Sequence, residues 1–369
     1  MPNGSPPRPL RVAFVVANYP PHTGGVEQHV AAVAGELTSR GHRVRVFVTE
    51  PHGDRDHAGV SVTGLGRHLV VADIWSLPAL GAARGLPQQL RAWHADVVSV
   101  HTRFFPATWL GIAAAHRAHV PVVLTEHGGG PVHSRSPAAD AAARSVDTTM
   151  GRWAWRRADT VLAVSKRSAQ FVERGSGRRP AVVGNGVDQD FWSAGPEPGS
   201  PRPRVVFVGR LVEEKGWREF LRVVAELPEP WHGVIAGDGP DIADVRSVVA
   251  RAGLSQRVQI PGRLDREALR DLYRDGILVN PSTAAEGLQT TLLEAAAAGG
   301  RIATYDVGGV DEVVAAGAHL IHTPPTATHL RDAVLDLAPL TLRPRADLSP
   351  WSWESVVTRY ERHFAQLAP

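Results

Sequence analysis

The sequence predicts an α/β chain of two doubly wound domains, and three observations carry that prediction. Its 369 residues exceed the ~100–200 of one ordinary domain. Short β-branched apolar runs alternate with helix-forming stretches, and the alternation then starts a second time. Between the two halves lies Ser193-Ala-Gly-Pro-Glu-Pro-Gly-Ser-Pro-Arg-Pro203, a Pro- and Gly-rich linker.

Composition removes several classes of function. There is no cysteine, hence no disulfide framework, thiolate chemistry or cysteine-bound zinc. No apolar run approaches the ~20 residues of a membrane span. The polar start Met-Pro-Asn-Gly-Ser-Pro-Pro-Arg-Pro has no signal-peptide core, so a soluble cytoplasmic protein is expected. Lysine occurs only at Lys166 and Lys215, and arginine supplies the remaining basic charge. That bias points to a GC-rich, bacterial genome. The one basic cluster, Arg152-Trp-Ala-Trp-Arg-Arg157, reads as a surface helix with a buried Trp face. The alternatives are contact with nucleic acid, which is not expected here, or peripheral contact with a membrane.

In the first half, residues 11–17 (RVAFVVA) read as a buried parallel strand. The loop Asn18-Tyr-Pro-Pro-His-Thr-Gly-Gly25 leads into a helix over 26–39, and 44–48 form the next strand, a βαβ unit. No G-x-G-x-x-G is present, so the dinucleotide fingerprint is absent. Gly24-Gly25 serve either a close backbone approach to a ligand or a tight turn. Residues 52–68 read as a polar loop. His52, Asp54, Asp56 and His57 there lack a fixed spacing on any element, and no metal site is assigned to them.

Strands at 97–100 and 120–124 present two polar groups at their C-terminal ends, where open α/β sheets bind ligands. The first is His101, Arg103, Phe104 and Phe105; the second is Thr125, Glu126 and His127 with Gly128-Gly-Gly130. Each histidine is either a ligand-facing group or a satisfied structural one. A helix over 138–157 and a strand over 160–164 follow, with Ser165 as an N-cap. Asp188-Gln-Asp190 looks like a metal-binding D-x-D, but after Asn185-Gly186 it reads as turn chemistry.

In the second half, 204–208 form a strand that runs through Gly209-Arg-Leu-Val-Glu-Glu-Lys-Gly216 into a helix over 217–227. Strand 233–236 is closed by Gly237-Asp-Gly-Pro240. Helix 242–252, strand 257–260, the loop Pro261-Gly-Arg-Leu264, helix 267–274 and strand 277–279 complete the approach to Glu286-Gly-Leu-Gln-Thr-Thr-Leu-Leu-Glu294. That stretch reads as a Glu-Gly turn and a helix starting near Leu288. The first N–H groups of such a helix lack intrahelical partners and favour an anion.

Its two acids lie roughly 9–12 Å apart along the helix, near the hexose-to-ribose span of a nucleotide sugar. One Glu would hold sugar hydroxyls and the other a ribose; otherwise they are a solvated first-turn Glu and a packed helix Glu. Arg210 and Lys215 follow one strand end. Arg offers a planar fork to phosphate oxygens and Lys a point charge, unless both are plain surface cations. With the amides of Leu288–Thr290 they make a diphosphate clamp flanked by two hydroxyl-binding carboxylates.

These residues carry a family resemblance. Val208-Gly-Arg-Leu, Lys215-Gly216, Gly237-Asp-Gly-Pro240, Glu286-x7-Glu294 and Asp306-Val-Gly-Gly309 occur in this order. With Gly24-Gly25 and Asn185-Gly-Val-Asp188, the chain resembles the GT-B retaining glycosyltransferases of family 4 (glycosyl transferases group 1) over nearly its whole length. The resemblance implies two Rossmann-like domains facing a central cleft. Residues 1–195 would bind the acceptor and 196–349 the nucleotide sugar, with a last helix at about 350–369 crossing back onto the first domain. Arg210 and Lys215 would neutralise the leaving diphosphate, with Gly209 beside them. Glu294 would take the ribose, and Glu286 with Gly287, Leu288, Gln289 and Thr290 the transferred sugar. Arg263 and Leu264 would border the base, Gly25 would reach the phosphates, and His127 would stand beside the donor sugar. His22, Thr23, His101 and Arg103 are the acceptor-side candidates.

The sequence departs from the family's common pattern at Gln289, Asp311 and Ser99, which leaves the donor and acceptor open. Gln289 would either touch the sugar or reshape its loop. The expected reaction is retaining transfer of a hexose to a hydroxyl of a small polar metabolite or natural product. A UDP-sugar, UDP-N-acetylglucosamine foremost, is the expected donor, with no metal and no other cofactor. GDP-mannose with a lipid or glycan acceptor is the alternative. A nucleotide-sugar epimerase and a non-catalytic nucleotide-sugar binder are the readings from other classes. Oligomeric state is left open.

Overall fold

A computed structural model describes residues 8–22, 24–71, 75–131, 137–195, 203–340 and 346–368. The chain divides into two compact units. Met1–Gly186 with Trp353–Pro369 form the first, and Val187–Ser352 the second. The boundary falls before the Pro-rich linker, because the short helix after Asp188 packs with the second unit. Trp192 lies 5.7 Å, centroid to centroid, from Tyr273 there.

The first unit runs β1 (Arg11–Val16), α1 (Gly25–Ser39), β2 (Arg43–Val48), β3 (Gly53–His57), β4 (Val60–Gly64), β5 (Arg67–Val71), β6 (Trp75–Pro78), α2 (Leu80–Ala92), β7 (Val97–His101), α3 (Pro106–Ala118) and β8 (Val122–Glu126). It continues with α4 (Pro137–Val146), one π turn (Asp147–Gly151), α5 (Arg152–Arg157), β9 (Thr160–Ala163), α6 (Lys166–Ser176) and β10 (Ala181–Val182). Eight strands form one sheet in the order β10-β9-β8-β7-β1-β2-β4-β3. The chain fills the sheet outward from β1 in one direction and then in the other, which makes the β1/β7 junction its topological switch point. Valine-rich β1, β7 and β8 are buried on both faces, as a covered parallel sheet requires.

Two expectations are corrected here. Residues 52–68 are not a loop, since β3 and β4 pair antiparallel. Val60, Val62 and Gly64 are buried in alternation, the pattern of a half-buried strand. His52, Asp54, Asp56 and His57 form no metal-ligand group among the described residues. The predicted helix over 138–157 is two helices joined by the π turn. In α5, Ala154 and Trp155 are buried while Arg152, Arg156 and Arg157 stay exposed. Ser165 caps α6 by accepting from Ser168 N at 3.1 Å.

The second unit runs α7 (Gln189–Ser193), β11 (Arg204–Val208), a 3-10 turn (Glu213–Lys215), α8 (Trp217–Glu226), β12 (His232–Ala236), α9 (Ile242–Arg251), β13 (Val258–Gly262), α10 (Arg266–Asp275) and β14 (Ile277–Asn280). Then come α11 (Thr290–Ala297), β15 (Arg301–Tyr305), α12 (Val310–Ala315), β16 (His319–Thr323) and α13 (Ala327–Leu337). The six strands are parallel, in the order β13-β12-β11-β14-β15-β16. Here the switch point lies between β11 and β14, where Val205 pairs with Ile277. Asp188 caps α7 through Phe191 N at 3.2 Å and pairs with Arg266 at 2.9 Å, which is turn chemistry rather than a metal site. The last helix, α14 (Trp353–Leu367), belongs to the first unit and packs on α1. His42 and Arg40 both meet Glu361 there.

Candidate active site

In the second unit two of the sequence-predicted residues, Lys215 and Glu286, meet at the switch point. The loop after β11 carries Arg210 and Lys215, and the loop after β14 carries Glu286. Lys215 and Glu286 form an ion pair across it, both half-buried. Gly216 makes this possible. Its φ is +79°, and a Cβ there would lie 2.2 Å from Pro281 O, so only glycine lets the two loops touch. Thr283 N donates to Glu214 O at 2.9 Å and closes the contact. Arg210, five positions before Lys215 in the loop after β11, is exposed.

The Glu286–Leu288 turn rests on Gly308 and Gly309. A Cβ at Gly308 would lie 2.1 Å from Gly287 O and 2.4 Å from Glu286 O, and one at Gly309 would lie 2.2 Å from a Leu288 methyl. The glycine pair of the Asp306-Val-Gly-Gly motif therefore supports the turn that presents Glu286. α11 starts at Thr290, and its N-cap Gln289 makes no side-chain cap. The first-turn amides are thus not satisfied by a side chain and can meet an anion.

Gln289 is 5% exposed. Its Oε1 accepts from Asn280 Nδ2 at 2.8 Å, and Asn280 Nδ2 also reaches Thr304 Oγ1 at 3.0 Å. Of its two expected roles, the structure gives the side chain that of shaping the loop. Leu288 is likewise buried, at 4% exposure, so the turn can offer a ligand its backbone but not that side chain.

Glu294 sits one helical stretch further along α11 and accepts from Tyr273 Oη at 3.3 Å. Loss of solvation pushes its carboxyl up to about 7, against the lowering effects of Tyr273 and Arg266. Gly209 and Gly237 allow the adjoining strand ends to close up, since a Cβ on Gly237 would fall 1.9 Å from Gly209 O. Arg263 is exposed and 3.7 Å from Asp238. Leu264 is partly buried against Val206, Val234 and Leu272.

In the first unit Gly25 is the first residue of α1, and nothing lies within 4 Å of where its Cβ would be. His127 follows β8, half-buried, with Nε2 3.0 Å from His101 Nδ1. His101 Nε2 meets Ser99 Oγ at 3.2 Å. His29 from α1 stacks edge-on against His127 with ring centroids 4.8 Å apart, and its Nε2 meets Tyr360 Oη at 2.9 Å. Burial holds all three imidazoles in the neutral form. His29 falls to about 4, and His101 and His127 fall well below the ordinary histidine value. They are the single grouping of possible metal ligands among the described residues.

Comparison with known proteins places this geometry. Residues 23–191 match Glycosyltransferase Family 4 and residues 202–339 match Glycosyl transferases group 1. The chain is a family 4 glycosyltransferase of the GT-B fold. A 2-deoxystreptamine glucosyltransferase of Streptomyces kanamyceticus is 32% identical over 244 residues, which span 61% of this chain and 63% of that relative. A 2-deoxystreptamine N-acetyl-D-glucosaminyltransferase of Streptomyces fradiae is 28% identical over 381 residues, covering 94% and 85%. The structure of Anabaena HepE in complex with UDP superposes with a TM-score of 0.71 at 18% identity, covering 97% of this chain and 100% of that one.

For this glycosyltransferase the structure revises the acceptor-side candidates. Arg103 is fully buried, paired with Glu126 at 3.1 Å and Asp147 at 2.9 Å, so it cannot contact an acceptor. His101 is 2% exposed, with both ring nitrogens engaged, and is a structural histidine. His22 is exposed, 3.9 Å from Glu50. Thr23 lies outside the described residues. Sequence reasoning missed His29, Asn280 and Tyr273. His29 falls on the buried face of α1, where its spacing from Val30 and Val33 marks it as core, and nothing local announces its partners. No helix among the described residues is long and apolar enough to cross a membrane.

Proposed function

We propose that the glycosyltransferase transfers a hexose from a UDP-sugar, with UDP-N-acetylglucosamine foremost, to a hydroxyl of a small polar acceptor, with retention and without a metal ion. The carrying observation is the Lys215–Glu286 ion pair. A cation suited to phosphate touches a carboxylate suited to sugar hydroxyls, and in a nucleotide sugar the bond to be broken lies between those two parts. Support for the acceptor class comes from the two Streptomyces relatives, named for transfer of glucose and N-acetylglucosamine to 2-deoxystreptamine.

The chemistry follows from where charge moves. As the C1–O bond of the donor breaks, the sugar becomes oxocarbenium-like and negative charge grows on the diphosphate. Arg210, Lys215 and the α11 amides oppose that charge with groups already in place. Glu286 and the Gly287–Thr290 backbone hold the sugar, Glu294 the ribose, and Arg263 and Leu264 border the base. The acceptor hydroxyl attacks on the face from which the diphosphate leaves, and a diphosphate oxygen takes its proton. A separate protein base is then unnecessary. His127, kept neutral by burial, takes part in transfer as a hydrogen-bonding group that adds no positive charge.

The test is thermal stabilisation by UDP, GDP, dTDP, ADP and NAD with excess chelator, since a ligand of the native state raises the midpoint by mass action. A shift with UDP, undiminished by chelator, followed by release of UDP only when an aminocyclitol acceptor is present, is expected. A shift with GDP alone moves the donor to GDP-mannose. Turnover of the sugar nucleotide without any acceptor makes the protein an epimerase. Binding without turnover of any kind makes it a non-catalytic binder.

A further inference from the structure

A buried charge cluster in the first unit has no part in the reaction as derived above. Arg103 follows β7 and is fully enclosed. Its Nη1 donates to Glu126 Oε1 at 3.1 Å, and its Nη2 donates to Asp147 Oδ2 at 2.9 Å and to Gly130 O at 3.1 Å. Glu126, also fully buried, accepts from Gly128 N through Oε1 at 3.0 Å and from Trp155 Nε1 through Oε2 at 3.1 Å. The guanidinium lies over the Phe171 ring at 4.5 Å and near Trp155 at 5.2 Å. Glycines make the room: a Cβ at Gly128 would lie 3.3 Å from both Arg103 Nη1 and Glu126 Oε1, and one at Gly151 3.3 Å from Arg103 Cδ.

Such a cluster is a poor way to gain stability, because desolvating the charges offsets most of their attraction. Its partners show what else it does. Glu126 fixes the amide of Gly128 and Arg103 the carbonyl of Gly130. The three-glycine loop that follows His127 is therefore pinned at both ends, at Gly128 N and at Gly130 O. A free Gly-Gly-Gly segment would sample many backbone states, and ordering it costs conformational entropy.

We infer that Arg103 and Glu126 are positioning residues for transfer, which hold His127 and the Gly128–Gly130 backbone in one geometry. This rests on the part in transfer given to His127 under Proposed function. Neither side chain meets substrate; both act through the loop. Misplacing a reacting contact by about 1 Å lowers turnover on the order of 100-fold, so loosening the clamp acts on kcat before KM.

The test compares Arg103→Lys, Glu126→Gln and Asp147→Asn in the full-length protein. Lysine keeps the charge over Phe171 but cannot span Glu126 and Gly130 together. Glutamine sets a donor against either Trp155 Nε1 or Gly128 N. Asp147→Asn weakens a partner of Arg103 that lies outside the loop and serves as the stability control. Arg103→Lys and Glu126→Gln are expected to lower kcat on the order of 10–100-fold with donor KM within about twofold, and to speed hydrogen exchange of the 127–130 amides. Asp147→Asn is expected to lower the melting temperature similarly with kcat near wild type. The inference fails if kcat is kept in Arg103→Lys, if KM alone rises, or if all three variants lose activity in proportion to stability. Faster loop exchange with no transfer by the wild type would overturn the proposed function and leave the clamp standing.

Discussion

Replacing Glu294 by Gln should make the protein more stable above neutral pH while weakening its hold on nucleotide. The Glu294 carboxyl ionises at about 7 in the folded chain against 4.5 for an ordinary glutamate. The ionised form is the one the fold disfavours. Below the ordinary value both folded and unfolded chains are protonated, and there is no penalty. Between 4.5 and about 7 the folded chain holds the extra proton, so stability falls as pH rises through that window. Each pH unit by which the fold displaces an ionisation is worth ~1.4 kcal/mol, so the full penalty is at most about 3.5 kcal/mol. His29 has the opposite sign. Its value, lowered to about 4 from 6.5, removes stability as pH falls below 6.5. Both variants share His29, so the difference between their curves isolates Glu294. Urea denaturation of wild type and Glu294→Gln at about pH 5 and about pH 8 is the assay. The gap between them should widen by about 2–3 kcal/mol at the higher pH. UDP affinity should meanwhile fall about tenfold, as for the loss of one charged hydrogen bond. Parallel pH curves for the two proteins would refute the claim that enclosure raises this carboxyl. Unchanged UDP affinity would remove Glu294 from the ribose.

Two further outcomes are expected. Gly308→Ala sets a methyl 2.1 Å from Gly287 O; backbone must move, and a loss of about 2–4 kcal/mol in urea denaturation, with loss of transfer, should follow. A melting curve that matches wild type would mean the Glu286 turn does not rest on Gly308. Glu286→Ala should abolish transfer while UDP still binds, and should change stability by less than about 1 kcal/mol, because its partner Lys215 remains water-accessible. Equal loss of transfer and of UDP binding, read by calorimetry, would move Glu286 out of the sugar site.

The sequence by itself determined most of the second unit. Parallel strands buried on both faces are continuous apolar runs, so β11, β12 and β14 announce themselves. The polar residues that follow β11 and β14 are then placed at a switch point by topology alone. Arg210, Lys215, Glu286 and Glu294 stand out in the sequence because polar residues that follow apolar strands are where ligand chemistry is sought. What the sequence left open there was direction. Gln289 could face a sugar or the core, and only the positions of Asn280 and Thr304 turn it inward.

In the first unit the strand-end rule gave two residues a task that the fold does not allow them. His101 and Arg103 follow a strand as ligand-binding groups do, yet the fold buries both. Whether such a side chain meets solvent or a partner depends on residues far along the chain. Glu126 and Asp147 lie 23 and 44 positions from Arg103, and Tyr360 lies 331 from His29. Periodicity reports which face of one element is apolar. It carries no record of which charge on another element will be brought opposite, and that pairing is decided only when the chain packs.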